Sequence, residues 1–489
     1  MDIIIRQKDA VNLIVESEKD IAKELNGYFT FYVPNYQYTP AYKKKIWDGQ
    51  IRLFNLYGRT IYAGLLDYII RFAEDRKYKY EIDSEKLLEK GTETKEQFVD
   101  FVKSLKLKIT PHVHQLKAVY HAIRRKRALL LSPTGSGKSL IIYMLVRYCL
   151  NQPTNKKILI VVPTVGLVNQ LYNDFKDYAN KTWNVEGNTH RIFSGEEKAS
   201  NKPIVISTWQ SLYKMPKEFF DKFDCVFGDE CHLFKAKSLA GLMTKMTNAH
   251  FRIGTTGTLD GTQTHKLVIE GLFGKLYNVT STKKLIDKNL LSDIEIKCLI
   301  LGYDDEAVQE MKRKTYQEEI SYIISNTKRN EFIKKLSLNL KGNSLVLFNY
   351  VELHGKVLYD IIQQESEDKK IFFIYGGTDA DQREKIRHIL NQEENAILIA
   401  SYGTCSTGIN IPRINNVVFA SPSKSVVRVL QSIGRGLRKA QGKDKTFVYD
   451  ISDDFSYKSY KNHTMKHLDE RLKIYNNEKF PYDLTRIKI

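Results

Sequence analysis

No two cysteines of this chain stand at C-x-x-C spacing, and no His/Cys cluster has the spacing of a zinc site. A structural zinc module and a dithiol redox centre are thereby excluded. Cys149, Cys225, Cys231, Cys298 and Cys405 each fall in or beside an apolar run, which reads as buried, reduced thiols in a reducing compartment. Long hydrophobic runs are missing too, since no apolar stretch approaches the roughly 18 residues that a membrane span needs. The opening MDIIIRQKDAVNLIVES shows no basic segment followed by a long apolar one, so no secretory leader is read there. These absences lead us to expect a cytoplasmic protein with no membrane partner. Acidic residues are in deficit: 57 Asp+Glu against 76 Lys+Arg leave a formal charge of +19. Such an excess points to a polyanionic partner, nucleic acid ahead of an anionic membrane surface. Short-period repeats and low-complexity tracts are also absent.

What is present divides by texture. A chain of 489 residues, 42% hydrophobic, implies two to four domains. Residues 1–83 carry short alternating strands (DIIIRQ, AVNLIVES, FTFYVP, QIRLFN) and two amphipathic helical patterns, EKDIAKELNGYF and GLLDYIIRFAEDRKY. They read as a small α+β domain which, counted to residue 105, holds equal numbers of acidic and basic residues. Its positive charge is local, in Lys43, Lys44, Lys45, Arg52 and Arg59. The stretch YKKKIWDGQIRLF reads as a basic, aromatic hairpin around an Asp-Gly turn, with Trp47 packed between Ile46 and Ile51. From residue 106, continuous apolar runs alternate with helical stretches: ALLLS, KILIVVP, PIVIS, CVFGD and FRIGTT. Buried short strands separated by helices indicate a parallel sheet covered on both faces. The texture returns after residue 342 in SLVLFN, KIFFIY, AILIAS, NVVFA and TFVYDI, beyond a polar, lysine-rich region at 278–325. The helix HTMKHLDERLKIYNNEKF is expected to close the chain. The expected division is 1–105, an accessory DNA-binding domain with its linker; 106–283 and 284–455, two α/β lobes; and 456–489, a helical tail.

The chemistry is concentrated at two places in the first lobe. In ALLLSPTGSGKSL a buried strand runs into a loop (Thr134, Gly135, Ser136, Gly137), then Lys138, Ser139 and a helix. Glycines let backbone N–H groups wrap phosphate oxygens, and the helix N-terminus adds a favourable dipole. Lys138 would reach the β- and γ-phosphates, and the Ser139 hydroxyl would coordinate Mg²⁺. The G-x-x-x-x-G-K-[ST] pattern is met except at its first position, Ser132. In FDCVFGDECH a strand ends on Asp229 and Glu230, placed to hold Mg²⁺ and to deprotonate an attacking water.

DECH resembles the DEAD/DEAH box of superfamily 2 helicases and translocases, whose other motifs follow in order across residues 111–453. PHVHQLKAV places Gln115 where that family reads adenine. VVPTVGLVNQ (Pro163, Thr164) and ISTWQSL (Thr208) resemble its nucleic-acid-contacting elements. GTTGTL places Thr256 and Thr258, with His232 of DECH, as coupling residues. SLVLFNYVELHG and ASYGTCSTGINIP (Gly408) resemble its fourth and fifth motifs. QSIGRGLRK places Gln431, Arg435 and Arg438 as catalytic residues, the two arginines acting on the γ-phosphate. Within superfamily 2 the resemblance extends to phage recombination helicases that migrate branched DNA, through KIWDGQIRLF, TWQS, NDFKDY, DECHL and KTYQEEI.

The resemblance implies two RecA-like lobes preceded by the small α+β domain, ATP and Mg²⁺ as cofactors, and a monomer acting on forked or branched DNA. It also implies replication or recombination proteins as partners and, for a phage gene, the host cytoplasm. Lys43, Lys44, Lys45 and Arg52 would then hold duplex DNA. Two alternatives stay open, since motor motifs contact mainly phosphates and carry little information on the sugar. One is an RNA helicase. The other is a double-stranded DNA translocase subunit of a restriction or remodelling complex, although no nuclease or methyltransferase motif is evident.

Overall fold

The structure, a computed structural model, describes residues 1–84, 87, 91–153, 157–193, 195–234, 237–259, 261–406, 413–423, 425–440 and 443–489. Its backbone forms two compact units, Met1–Ser132 with Gly137–Val279, and Pro133–Ser136 with Thr280–Ile489. No helix among the described residues is long and apolar enough to cross a membrane.

The first unit opens with an antiparallel pair, β1 (Ile3–Gln7) and β2 (Asn12–Ser17). Ile3, Ile5, Leu13 and Val15 point to one face and are fully buried, as the period of two in the sequence requires. A separate ribbon joins β3 (Thr30–Tyr32) to β4 (Gln50–Arg52). Adding β5 (Thr60–Tyr62) and β6 (Tyr80–Ile82) completes a sheet of order β5-β2-β1-β6. The helices Lys19–Tyr28 and Leu66–Asp75 contribute Ala22, Leu25, Ile69 and Phe72 to the same core.

The larger part of this unit is a fully parallel sheet. Its strands are β7 (Arg127–Leu131), β8 (Ile158–Val162), β9 (Thr189–Ile192), β10 (Ile204–Thr208), β11 (Cys225–Gly228), β12 (Phe251–Thr256) and β13 (Leu276–Asn278). They lie in the order β13-β7-β12-β11-β8-β10-β9. The five central strands are the apolar runs of the sequence and are buried throughout or nearly so, whereas the short, more polar β9 and β13 occupy the edges.

The N-terminal sheet and this parallel sheet share one hydrophobic core. The helix Gln263–Phe273 is the seam. A Cβ at Gly64 would lie 2.0 Å from the Glu270 backbone oxygen, and one at Gly271 would lie 2.8 Å from the Tyr62 ring. The Tyr68 hydroxyl donates to the buried Glu270 carboxylate at 2.7 Å, and Ala10 N donates to Thr247 O at 2.9 Å. Arg252, fully buried, donates from three guanidinium nitrogens to Leu272 O, Met246 O and Met243 O. Backbone meets backbone at Gly64, so a methyl group there has no flexible neighbour to displace. Gly64→Ala is expected to destabilise the first unit by about 1–3 kcal/mol. The checks are a lowered urea midpoint and faster proteolysis of the linker following residue 83.

The second unit is another fully parallel sheet. Its strands are β14 (Asp293–Gly302), β15 (Asn343–Phe348), β16 (Lys370–Ile374), β17 (Ala396–Ser401), β18 (Ile414–Phe419), β19 (Lys445–Asp454) and β20 (Tyr482–Lys488). Their order is β16-β17-β15-β18-β19-β14-β20. Two elements correct the reading from sequence. Region 278–325 is no plain connector, because β14 pairs with β19 over ten residues. The chain does not close on a helix either, because the helix His463–Glu478 is followed by β20, which pairs with Ile296–Gly302 of β14. Residues 463–488 are thus built into the second sheet and its cover. The N-terminus of that helix is held by the buried Glu319 carboxylate, which accepts from Asn462 Nδ2, His463 N, Thr464 N and Thr464 Oγ1 at 2.7–3.0 Å. Cys149, Cys225, Cys231 and Cys298 are buried and free; the Cys405 side chain lies outside the described residues.

Candidate nucleotide-binding site

β7 ends at Leu131, and Ser132 N donates to Thr256 O at 2.9 Å, so the phosphate loop springs from the carboxyl end of a strand flanked by β12 and the edge strand β13. Gly135 and Gly137 both have φ of +82°. At Gly137, which precedes the helix Lys138–Leu150, a Cβ would also lie 2.1 Å from Gln115 Nε2. Only glycine satisfies both conditions. Gln115 is itself fixed, buried at the start of the helix Val113–Arg125, with Oε1 accepting from His112 N at 2.7 Å. Gln115 and the phosphate loop are therefore in contact. Ser136 Oγ donates to Pro133 O at 2.6 Å, and Lys138 Nζ donates to Ser132 O at 3.3 Å. Thr134 lies in the loop, and Ser139 in the first turn of the helix. A loop of this shape at a helix N-terminus, with a lysine turned back along it, suits an oligophosphate.

The strand order completes the site. β12 lies between β7 and β11, so the carboxyl ends of all three converge although they are far apart in sequence. Asp229 N donates to Val161 O at 3.0 Å, and Thr255 Oγ1 donates to Asp229 Oδ1 at 2.7 Å. Burial and the neighbouring Glu230 push the Asp229 carboxyl above the usual range, while Lys138 and Thr255 oppose the rise. Asp229, with the Glu230 carboxylate and the Lys138 ammonium both acting on it, lies where a further cation would be favoured. Among the described residues no three His, Cys, Asp or Glu side chains form a metal cage. Mg²⁺ ordinarily takes one or two carboxylates, with phosphates and water filling the rest of its octahedron. The Asp229 carboxylate, held by Thr255 and within electrostatic reach of Lys138, fits that demand.

Glu230 has φ of +52°, a left-handed conformation that costs a non-glycine residue of order 1 kcal/mol or more. It directs the chain into the short turn Cys231–Leu233 and brings His232 back against it. His232 Nδ1 lies 3.3 Å from Glu230 Oε2 and 3.1 Å from Thr256 Oγ1, and the Thr256 hydroxyl donates to Thr258 O at 2.9 Å. Because that hydroxyl has spent its only proton, Nδ1 must carry the hydrogen that it gives to the threonine. A continuous polar line thus runs from Glu230 through His232 and Thr256 to Thr258. Thr255, which holds Asp229, had no signal in the sequence beyond its neighbours.

Pro163 and Thr164 follow β8, and Thr208 is the last residue of the adjacent β10. Thr164 caps the helix Val165–Ala179 by accepting from Leu167 N, while Gln210 Nε2 donates to Pro163 O at 3.2 Å and ties the two loops together. Thr208 is only 4% exposed and its hydroxyl lies 2.9 Å from Ser211 Oγ. In the second unit Gln431 is buried on the helix Val426–Gly436. Arg438 follows that helix, and its carbonyl accepts from Ser292 Oγ at 3.4 Å and from the buried Lys443 Nζ at 2.9 Å. Burial, with Arg438 adding to it, lowers the Lys443 pKa to about 7. Gly408 and the Arg435 side chain lie outside the described residues.

The triple lysine is not on a strand. Thr39 caps a short helix, Pro40–Lys43, with proline in its first turn, and Lys44 and Lys45 turn away from its end. Ile46, expected beside a core tryptophan, is 76% exposed. Lys43, Lys44 and Lys45 are exposed and have no ion-pair partner among the described residues. Arg52 differs, because it pairs with Asp48 and donates to Gln50 Oε1 at 2.8 Å.

Comparison with known proteins accounts for these parts together. Residues 2–83 match the family described as "DNA helicase UvsW, N-terminal", 106–261 match "Type III restriction enzyme, res subunit", and 327–440 match "Helicase conserved C-terminal domain". The ATP-dependent DNA helicase uvsW of Enterobacteria phage T4 is 33% identical, with all of both chains covered. The crystal structure of T4 UvsW superposes with a TM-score of 0.54 at 32% identity, again over the whole of both chains. Mss116p bound to ssRNA and AMP-PNP shares the fold alone, at TM-score 0.56 and 14% identity over 82% of this chain and 78% of its own. From its N-terminal sheet to its last strand, the chain belongs to the UvsW family of DNA helicases.

Proposed function

We propose that this protein is an ATP-dependent DNA helicase that remodels branched DNA, by fork regression, branch migration or junction unwinding, in recombination-dependent replication and repair. The observation that carries the reading is the likeness to the T4 helicase over the entire chain, the N-terminal domain included. RNA helicases and restriction subunits share the motor; that N-terminal domain is the part that favours DNA helicase over both.

In the proposed mechanism the phosphate loop binds the nucleotide's phosphates through its backbone N–H groups, and Lys138 neutralises charge on the β- and γ-phosphates. Gln115, held against Gly137, reads the base. Glu230 accepts the proton of the attacking water, and His232 holds the Glu230 carboxylate in place. Ser139 and Asp229 would hold Mg²⁺, which supplies positive charge to the phosphate oxygens. Gln431, Arg435 and Arg438 supply further hydrogen bonds and positive charge for phosphoryl transfer. The His232–Thr256–Thr258 line gives the hydrolytic carboxylate a direct connection to the end of β12, through which hydrolysis and movement on DNA would be coupled. Pro163, Thr164 and Thr208 mark the loops at which a DNA strand would lie, and Lys43, Lys44 and Lys45 add phosphate contacts from the N-terminal domain.

The test is a panel of matched forked, three-way and four-way substrates made of DNA and of RNA, with strand products and ATP turnover read together. ATP-driven opening or migration of the DNA junctions, with the RNA forms left intact, is the expected result. Opening of RNA alone would overturn the reading.

A further inference from the structure

Between β3 and β4 the chain makes a 33–49 excursion that contributes nothing to any of the hydrophobic cores. It is built instead on its own aromatic rings. Tyr36 stacks on Tyr32 with centroids 4.8 Å apart and meets Tyr42 edge-on at 4.8 Å. Gly49, with φ of +82°, makes room for the Tyr36 ring, since a Cβ there would lie 2.2 Å from it. Trp47 is pinned by its indole N–H, which donates to Gln50 O at 2.8 Å, and stays half-buried. Beside these rings opens a cleft of about 760 Å³, with Tyr42, Ile46 and Trp47 as its apolar walls and Lys43, Lys45 and Asp48 as its charged ones.

The charges of this cleft are unbalanced. Asp48, the acid among its lining residues, is paired with Arg52. Lys43 and Lys45 have no such partner among the described residues, so the cleft presents two exposed ammonium groups around an aromatic and aliphatic floor. Ile46 is 76% exposed, and Tyr38 and Tyr32 of the same region are 74% and 56% exposed, so the apolar exposure here is grouped rather than single. Flat aromatic walls flanked by cations suit a strand of unpaired nucleotides, whose bases stack and whose phosphates meet the lysines, whatever their sequence. An intact duplex hides its base faces and would use only the lysines.

We infer that this cleft is a binding site for single-stranded DNA, taking an unpaired base between Trp47 and Ile46 with the adjoining phosphates on Lys43 and Lys45. The inference rests on the proposal that the chain acts on branched DNA, and assigns the unpaired arm of the branch to the N-terminal domain. Arg52 then serves to neutralise Asp48 rather than to contact DNA.

The test is equilibrium binding of a dT oligonucleotide of about a dozen residues to the full chain without nucleotide, read by tryptophan fluorescence and by anisotropy. Stacking on Trp47 is expected to quench its emission, and Trp47→Phe is expected to abolish that quenching. Trp47→Ala should weaken binding roughly ten- to hundredfold. Lys43→Ala/Lys45→Ala should lower the slope of log affinity against log salt by about two. Quenching unchanged by Trp47→Phe, or affinity unchanged by Trp47→Ala, would overturn the assignment. So would a blunt duplex that matches the oligonucleotide, or an acidic, aromatic peptide that quenches Trp47 at lower concentration and marks the cleft as a protein-docking site. Because no ATP is present, failure of the wild-type chain to unwind forks would sink the helicase reading without touching this one.

Discussion

Glu230→Gln is expected to reduce DNA-stimulated ATP hydrolysis by roughly 10²–10⁴-fold, and Lys138→Ala to abolish it by a different route. Glu230 is the carboxylate beside His232 at the carboxyl end of β11, and glutamine keeps its shape and its hydrogen-bonding reach while losing the ability to take a proton. The left-handed backbone at this position is no worse for glutamine than for glutamate. ATP affinity should therefore survive Glu230→Gln and the chemical step should not. Lys138 is the cation of the phosphate loop, within electrostatic reach of the buried Asp229. Its removal takes away charge in both the bound and the transition state, so Lys138→Ala should weaken ATP binding as well as turnover. Fluorescent-nucleotide binding beside single-turnover hydrolysis separates the two. Appreciable turnover in either variant would remove these residues from the mechanism.

The second large effect concerns stability. Arg471 and Asp450 are both almost fully buried and paired at 2.8 Å through Nε and Oδ2. Arg471 also donates to Ser423 O at 2.9 Å and Ser452 Oγ at 2.6 Å, and Tyr475 donates to Asp450 Oδ2 at 2.8 Å. This cluster bolts the helix His463–Glu478 to β19. Asp450 Oδ1 has no hydrogen-bond partner among the described residues, so the arginine is its main compensation. Arg471→Met should destabilise the second unit by about 3–5 kcal/mol, because it leaves a carboxylate buried without a countercharge. In Arg471→Met/Asp450→Leu most of that loss should return, since no charge then remains to be solvated. The measurement is the urea midpoint of the second unit in the single and double variants. A single variant as stable as the wild type would show that the pair is not what holds the helix.

Much of the central architecture is legible in the chain because the inner strands of parallel sheets are buried on both faces and need unbroken apolar runs. ALLLS, KILIVVP and FRIGTT are strands for that reason. The elements that escaped are those for which this condition relaxes. β14 interleaves Asp293, Glu295 and Lys297 with its apolar residues, and β20 lies at an edge with most of its side chains exposed, so both resemble connectors. Placing the triple lysine on a strand had a remedy in the sequence itself. Thr39-Pro40 is a helix-start signal that outweighs the alternation around it.

The site divides in the same way. Its chemical groups are local and were there to be read: two glycines before Lys138 and Ser139, two carboxylates closing a strand, arginines in register with a helicase motif. Such patterns need only neighbours in the chain, because a phosphate loop is made by consecutive N–H groups. The packing of Gln115 on Gly137, the grip of Thr255 on Asp229 and the line from Glu230 to Thr258 were decided by the fold. They depend on β12 lying between β7 and β11, an order set by how the whole sheet is wound and not by any segment within it.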